Sequence, residues 1–216
     1  MDFKEYKISN FIEDLSSDLS SPGGGSVAAF MAALSASLNS MVYSLTVNKK
    51  SFEALDGDIK KMVLDFSEAS KKFTIKSLKN MDEDRKNFNE FMDAYKMKKD
   101  TEEEKELRKR AVMEGTLKAM KTPLELCREG YKFYDNIDIA VKYGNKMLLS
   151  DAGCAASLLH SVIECSVMNV KVNLNSLRGK SFAKGIEEEI NNILIESLKR
   201  KNSILEIINK SIYPEL

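Results

Sequence analysis

The chain has no tryptophan, one histidine, three cysteines, three prolines and ten glycines in 216 residues. So few prolines and glycines leave too little turn chemistry for an all-β architecture. His160 stands alone as an imidazole ligand, and no C-x-x-C pair exists, so no metal site is expected. Cys127, Cys154 and Cys165 are odd in number and lie in helical patterns. They are expected as free thiols of a cytoplasmic protein, not as a disulfide framework. Net charge is zero, with 33 basic against 33 acidic residues, so composition argues against nucleic acid as a partner. Met1 to Glu5 has no signal-peptide character.

Charge is also missing locally, from Ser20 to Asn48. The Ser26–Val47 stretch is long enough to span a membrane. Its Ser35, Ser37, Asn39, Ser40 and Ser44 suit the buried helix of a soluble core instead, and no membrane partner is expected.

What is present is helical periodicity. Tyr6–Leu19 carries an apolar stripe at Phe11, Ile12 and Leu15, and Ser26–Val47 is a helix built to be buried. Asp56–Met81 repeats apolar residues at helical spacing, and Asp82–Lys96 continues the pattern beyond a break expected at the acidic run. Lys98-Lys99-Asp100 is an exposed corner. Thr101 to Glu104 reads as a capping box whose charged helix continues to Met120, and Pro123 kinks it or starts another. Gly144-Asn145 ends a helix, Ser150-Asp151 begins a small-residue helix to Leu177, and Phe182–Ile212 is the last. The spacing predicts an all-α single domain over residues 1–216, a bundle of roughly six to eight helices.

Polar residues mark candidate sites on this scaffold. Pro22-Gly23-Gly24-Gly25-Ser26 opens the buried helix, and its backbone N–H groups suit an anionic or strongly polar ligand. The alternative is a glycine turn that lets helices approach. Asp82 and Asp84 put two carboxylates into one cleft if a helix starts there, and face different ways on a regular helix. Asn145, Ser150 and Asp151 flank a helix start, as ligands or as caps. Asn169 and Asn173 lie one turn apart on an apolar helix and need partners. Lys49 and Lys50 suit an anionic tail or a helix end, and His160 reads as a structural histidine.

The order of these pieces resembles the cyclodeaminase/cyclohydrolase family of folate enzymes. The resemblance rests on Pro22 to Ala29, on Met41-Val42 with Leu45 to Lys50, and on Asp82-Glu83-Asp84 with Phe88. Thr122-Pro123-Leu124, Gly144-Asn145, Ser150-Asp151 and Asn169 to Asn173 extend it. Asn48, Lys86-Asn87 and Cys165-Ser166 depart from the family pattern. The resemblance implies an all-helical homodimer acting without metal or tightly bound cofactor on a tetrahydrofolate derivative, with or without a polyglutamate tail. Because the chain begins almost at the first helix, it also implies a stand-alone methenyltetrahydrofolate cyclohydrolase. A formimidoyltetrahydrofolate cyclodeaminase, or a non-catalytic folate-binding or interaction protein, is the alternative. In this scheme Asp82 leads as general base or charge stabiliser and Asp84 assists. Asp151 and Asn145 hold the pterin, with Ser150 beside them. Gly23, Gly24, Gly25 and Ser26 receive a polar part of the folate, Lys49 or Lys50 lies near its tail, and Asn169 and Asn173 line the floor.

Overall fold

The computed structural model describes residues 2–214. Long stretches without proline or glycine wind into helix, and no strand forms among the described residues. A 3-10 turn at Phe3–Glu5 precedes α1 (Ile8–Leu15), α2 (Gly24–Ser44), α3 (Lys50–Glu53) and α4 (Gly57–Lys96). Next come α5 (Glu102–Tyr143), a second 3-10 turn at Lys146–Leu148, α6 (Leu149–Asn175) and α7 (Ala183–Ile212). The all-α expectation holds.

Neither anticipated interruption ends a helix. α4 runs unbroken through Asp82, because Ser77, Asn80 and Met81 keep a buried stripe in register across the acidic run. Pro123 sits inside α5 without starting a new helix. Its neighbours Thr122, Leu124 and Leu126 are buried, and that packing holds the helix together across the missing N–H. At the start of α5 the expected capping box is present, with Thr101 and Glu104 bonding reciprocally.

Four helices make the bundle, each antiparallel to its neighbours. α2 lies between α4 and α6, and α5 closes the far side. Opposite α4, Ser26 pairs with Asp84 near one end and Asn39 with Ser70 towards the other. Opposite α6, Gly24 lies beside Asn169, and Ser35 donates to the carbonyl of Ala155 at 2.8 Å. Ala28, Ala29, Ala32 and Ala36 on α2, with Ala152, Ala155 and Ala156 on α6, are all buried. Side chains this short let the backbones approach closely. α7 packs against α6 and α5.

Asn39 and Tyr43 tie α2 into the bundle through side-chain hydrogen bonds. Asn39 donates to Ser70 and to Asn136, Asn136 donates to the carbonyl of Phe66, and Tyr43 donates to the carbonyl of Asn136. The length and composition of α2 and of the Lys146–Asn175 stretch pass for membrane spans. Here both supply the centre of one hydrophobic core. Among the described residues no helix covers the outward side of α2: Leu34 is 42% exposed, Met41 36% and Leu45 48%, beside Met168 at 58% and Val172 at 73% on α6.

Candidate functional site

A cleft forms where α2 begins. α4 and α5 extend past that point as a hairpin, so the four-helix bundle loses one wall there. The cavity measures about 270 Å3. Gly23, Gly24 and Gly25 form its base, and Asp84, Phe88 and Phe91 descend one face of α4, one turn apart. α5 contributes Thr116, Ala119 and Pro123. α6 contributes Asn169, Val172 and Asn173, Ser176 follows just past its end, and Ser20 and Ser21 complete the rim.

Asp84 is the chemical centre of this arrangement. Its Oδ2 accepts from the Ser26 hydroxyl at 3.0 Å, and the Ser26 backbone N–H also donates to the carboxylate. The same hydroxyl lies 3.2 Å from the carbonyl of Met81. A Cβ built on Gly25 would collide with the Asp84 carboxylate, so only glycine admits that group against the helix end. α2 has no side-chain cap of its own. The anion at its positive end is therefore Asp84, where the glycine run alone suggested a ligand. Burial pushes the Asp84 carboxyl above the ordinary aspartate value, and the two bonds from Ser26 pull it partly back.

The remaining polar wall is rich in acceptors. Asn169 donates one of its two amide N–H groups to the carbonyl of Cys165 at 2.8 Å, and Asn173 donates one of its own to the carbonyl of Asn169 at 2.9 Å. Each amide keeps its carbonyl as an acceptor and one N–H as a donor for the cleft. Pro123 supplies no N–H, so the carbonyl of Ala119, one turn earlier, loses its helical donor. Arg85 is the cleft's one cation among the described residues and is engaged: its guanidinium lies 4.2 Å from the centre of the Phe3 ring, 3.5 Å from Asp82 and 3.9 Å from Asp2.

The sequence candidates separate into two groups. Gly23, Gly24, Gly25, Ser26, Asp84, Asn169 and Asn173 come together at the cleft. Asp82 does not line it. Two residues from Asp84 on an unbroken helix, it points elsewhere, accepts from the Phe3 N–H at 2.6 Å and braces Arg85. Lys49, Lys50, Asn145, Ser150 and Asp151 gather at the opposite end of the bundle. Thr46 receives the Asn145 N–H at 2.8 Å there, and Asn145 caps the next turn at Met147. The length of α2, about 30 Å at 1.5 Å per residue, separates that end from the cleft. His160 is buried and holds Ser197 at 2.8 Å, joining α6 to α7. The aromatic pair Phe88 and Phe91 carried no role in the sequence reading beyond one motif match. Its legible signal was the turn-by-turn spacing behind Asp84.

Comparison with known proteins locates this architecture. The family model described as formiminotransferase-cyclodeaminase matches residues 7–192. A methenyltetrahydrofolate cyclohydrolase of Methylorubrum extorquens is 32% identical over 95% of this chain and 97% of its own length. A formimidoyltransferase-cyclodeaminase of Sus scrofa is 31% identical over 92% of this chain, which spans only 36% of that longer relative. The crystal structure of formiminotetrahydrofolate cyclodeaminase from Thermotoga maritima superposes with a TM-score of 0.76 over 96% of both chains, at 22% identity, and shows the shared fold. On the family match and the near full-length likeness together, the chain belongs to the formiminotransferase-cyclodeaminase family.

Proposed function

We propose that the protein hydrolyses 5,10-methenyltetrahydrofolate to 10-formyltetrahydrofolate, using neither a metal nor a tightly bound cofactor. The observation that carries this reading is Asp84, a half-buried carboxylate set into a helix end and facing an aromatic cleft lined with acceptors. The near full-length likeness to the Methylorubrum cyclohydrolase supports the choice of reaction.

The substrate's bridge carbon lies in a cationic amidinium, which a carboxylate stabilises and orients. Water adds to that carbon: a C–O bond forms and the water's proton passes to Asp84. The bond from carbon to N5 then breaks as Asp84 returns the proton to N5. The remaining hydroxyl proton leaves to solvent, and a formyl group stays on N10. The pterin's amino and ring N–H donors match the carbonyls of Asn169, Asn173 and Ala119, while Phe88 and Phe91 cover its ring faces. The cleft suits the bicyclic head, with the glutamate tail outside. The protein works as a cytoplasmic homodimer on free folate, mono- or polyglutamylated, with neither nucleic acid nor membrane as partner.

One observation favours cyclodeaminase chemistry as the second reading. Burial raises the Asp84 pKa, which helps it keep a proton for a departing amine. Paired assays separate the two. Loss of the methenyl chromophore above the spontaneous rate is the expected result. Gain of that chromophore from 5-formiminotetrahydrofolate, with ammonia release, selects the deaminase, and binding of either folate without turnover selects a folate-binding protein.

A further inference from the structure

One residue of the cleft is at odds with a cationic substrate. Asp84 and Arg85 are adjacent on α4 and both line the cavity, while α5 and α6 supply only neutral side chains to it. A guanidinium swung onto Asp84 would cancel its charge and repel a cation. Arg85 does not act that way here. What draws the Asp84 carboxyl down against its burial is Ser26, not the guanidinium beside it.

Arg85 is turned to the amino-terminal turn instead. Its guanidinium lies over the Phe3 ring, 4.2 Å from the centre, in cation–π geometry. Asp82, one helical turn back, stands 3.5 Å away and Asp2 3.9 Å. The Phe3 N–H donates to Asp82 at 2.6 Å, so ring and carboxylate are fixed to one another. The Phe3 ring is buried edge-on against Tyr6 and Phe11, and Phe11 meets Phe30 of α2. This strap is therefore anchored to α4 and α2, the two helices that carry Asp84 and Gly25. One positive charge stands against two negative ones at this corner, so its field on the cleft is negative.

We infer that Phe3 and Asp2 are positioning residues of the active site: they hold the Arg85 guanidinium away from Asp84 and so keep the cleft selective for a cationic substrate over a neutral one. Loss of the ring and of the Asp2 charge releases the guanidinium to Asp84. Asp82→Asn does much less, because its amide oxygen still accepts the Phe3 N–H while the ring and Asp2 still hold Arg85. The cationic substrate rests on the folate reading, and the holding of Arg85 does not.

A cycle built from Asp2→Asn/Phe3→Leu, which keeps apolar volume beneath the turn, and Arg85→Gln tests this. The Asp84 carboxyl is titrated by carbon NMR, its signal assigned by loss in Asp84→Asn, and turnover of 5,10-methenyltetrahydrofolate is measured on the same samples. In the strap variant Asp84 is expected to titrate at lower pH than in the wild type. KM is expected to rise about tenfold, while the inhibition constant of the neutral product 10-formyltetrahydrofolate changes by less than about twofold. Added to Arg85→Gln, the same two substitutions are expected to move neither the Asp84 midpoint nor KM. An equal loss in both backgrounds, or a folded strap variant with an unmoved midpoint, overturns the inference. Should Phe3→Leu melt below the assay temperature, Asp2→Asn alone, at an exposed position, is expected to give the same shift at smaller size. A protein silent on both folates whose Asp84 midpoint still falls supports the holding of Arg85 and overturns the folate reading.

Discussion

Asp84 is ionised at a cost, and Ser26 sets how large that cost is. Burial raises the carboxyl above its ordinary value of 3.8, and the Ser26 hydroxyl and amide counter the rise. A raised folded-state value favours the protonated form in the fold. Asp84 therefore contributes stability below its unfolded value, and that contribution is lost as pH rises through the folded one. At neutral pH an Asp84→Asn variant is expected to be at least as stable as the wild type, the usual relation between strain and function at a working site. Ser26→Ala removes one bond to the charged form and moves the carboxyl further up. The acidic limb of the kcat–pH profile is expected to shift to higher pH with the plateau nearly kept. A loss equal at every pH would show that Ser26 only packs. The glycine run was visible in the sequence as a helix opening. What it accommodates was not, because the anion at Gly25 arrives from α4, far along the chain.

At the scale of elements, α2 is held by small residues and by one polar knot. Asn136 receives Asn39 and Ser70 at 2.8 and 3.0 Å, and itself donates to Phe66 on α4. Removing its side chain takes the acceptor from the buried Ser70 hydroxyl, costs Asn39 one of its two bonds and strips the Phe66 carbonyl of its side-chain donor, and a buried group left unpaired costs about 1–3 kcal/mol. Asn136→Ala is expected to lower unfolding stability by about 3 kcal/mol, read as a shift in urea midpoint at constant slope. A change below about 1 kcal/mol would mean that water replaces the lost partners. The helices themselves were legible from periodicity and caps. The continuity of α4 was not, because an acidic run looks the same at a helix start and on a helix flank. Packing decides: Met81 and Asn80 are buried while Glu83 is exposed. That continuity turns Asp82 away from the cleft and towards Phe3.

For the whole molecule, the main consequence is that polar residues matched as one set of motifs stand at two ends of a bundle. Periodicity placed each on its helix, and no sequence signal told which end each would occupy, since antiparallel packing alternates the ends. The cleft itself exists because α2 starts late while α4 and α5 run on, a property of relative helix lengths and not of any one motif. If the carboxylate of this cleft performs the folate chemistry and its neighbour two residues away only braces the fold, loss of charge at the two positions has opposite consequences. Steady-state turnover of 5,10-methenyltetrahydrofolate by Asp84→Asn and Asp82→Asn, each checked for helicity and melting temperature, tests this directly. Asp84→Asn is expected to stay folded and to lose about 100-fold or more in kcat, while Asp82→Asn keeps most of its activity. Near-normal turnover by a folded Asp84→Asn, or a selective collapse of kcat in a folded Asp82→Asn, would move the chemistry away from Asp84.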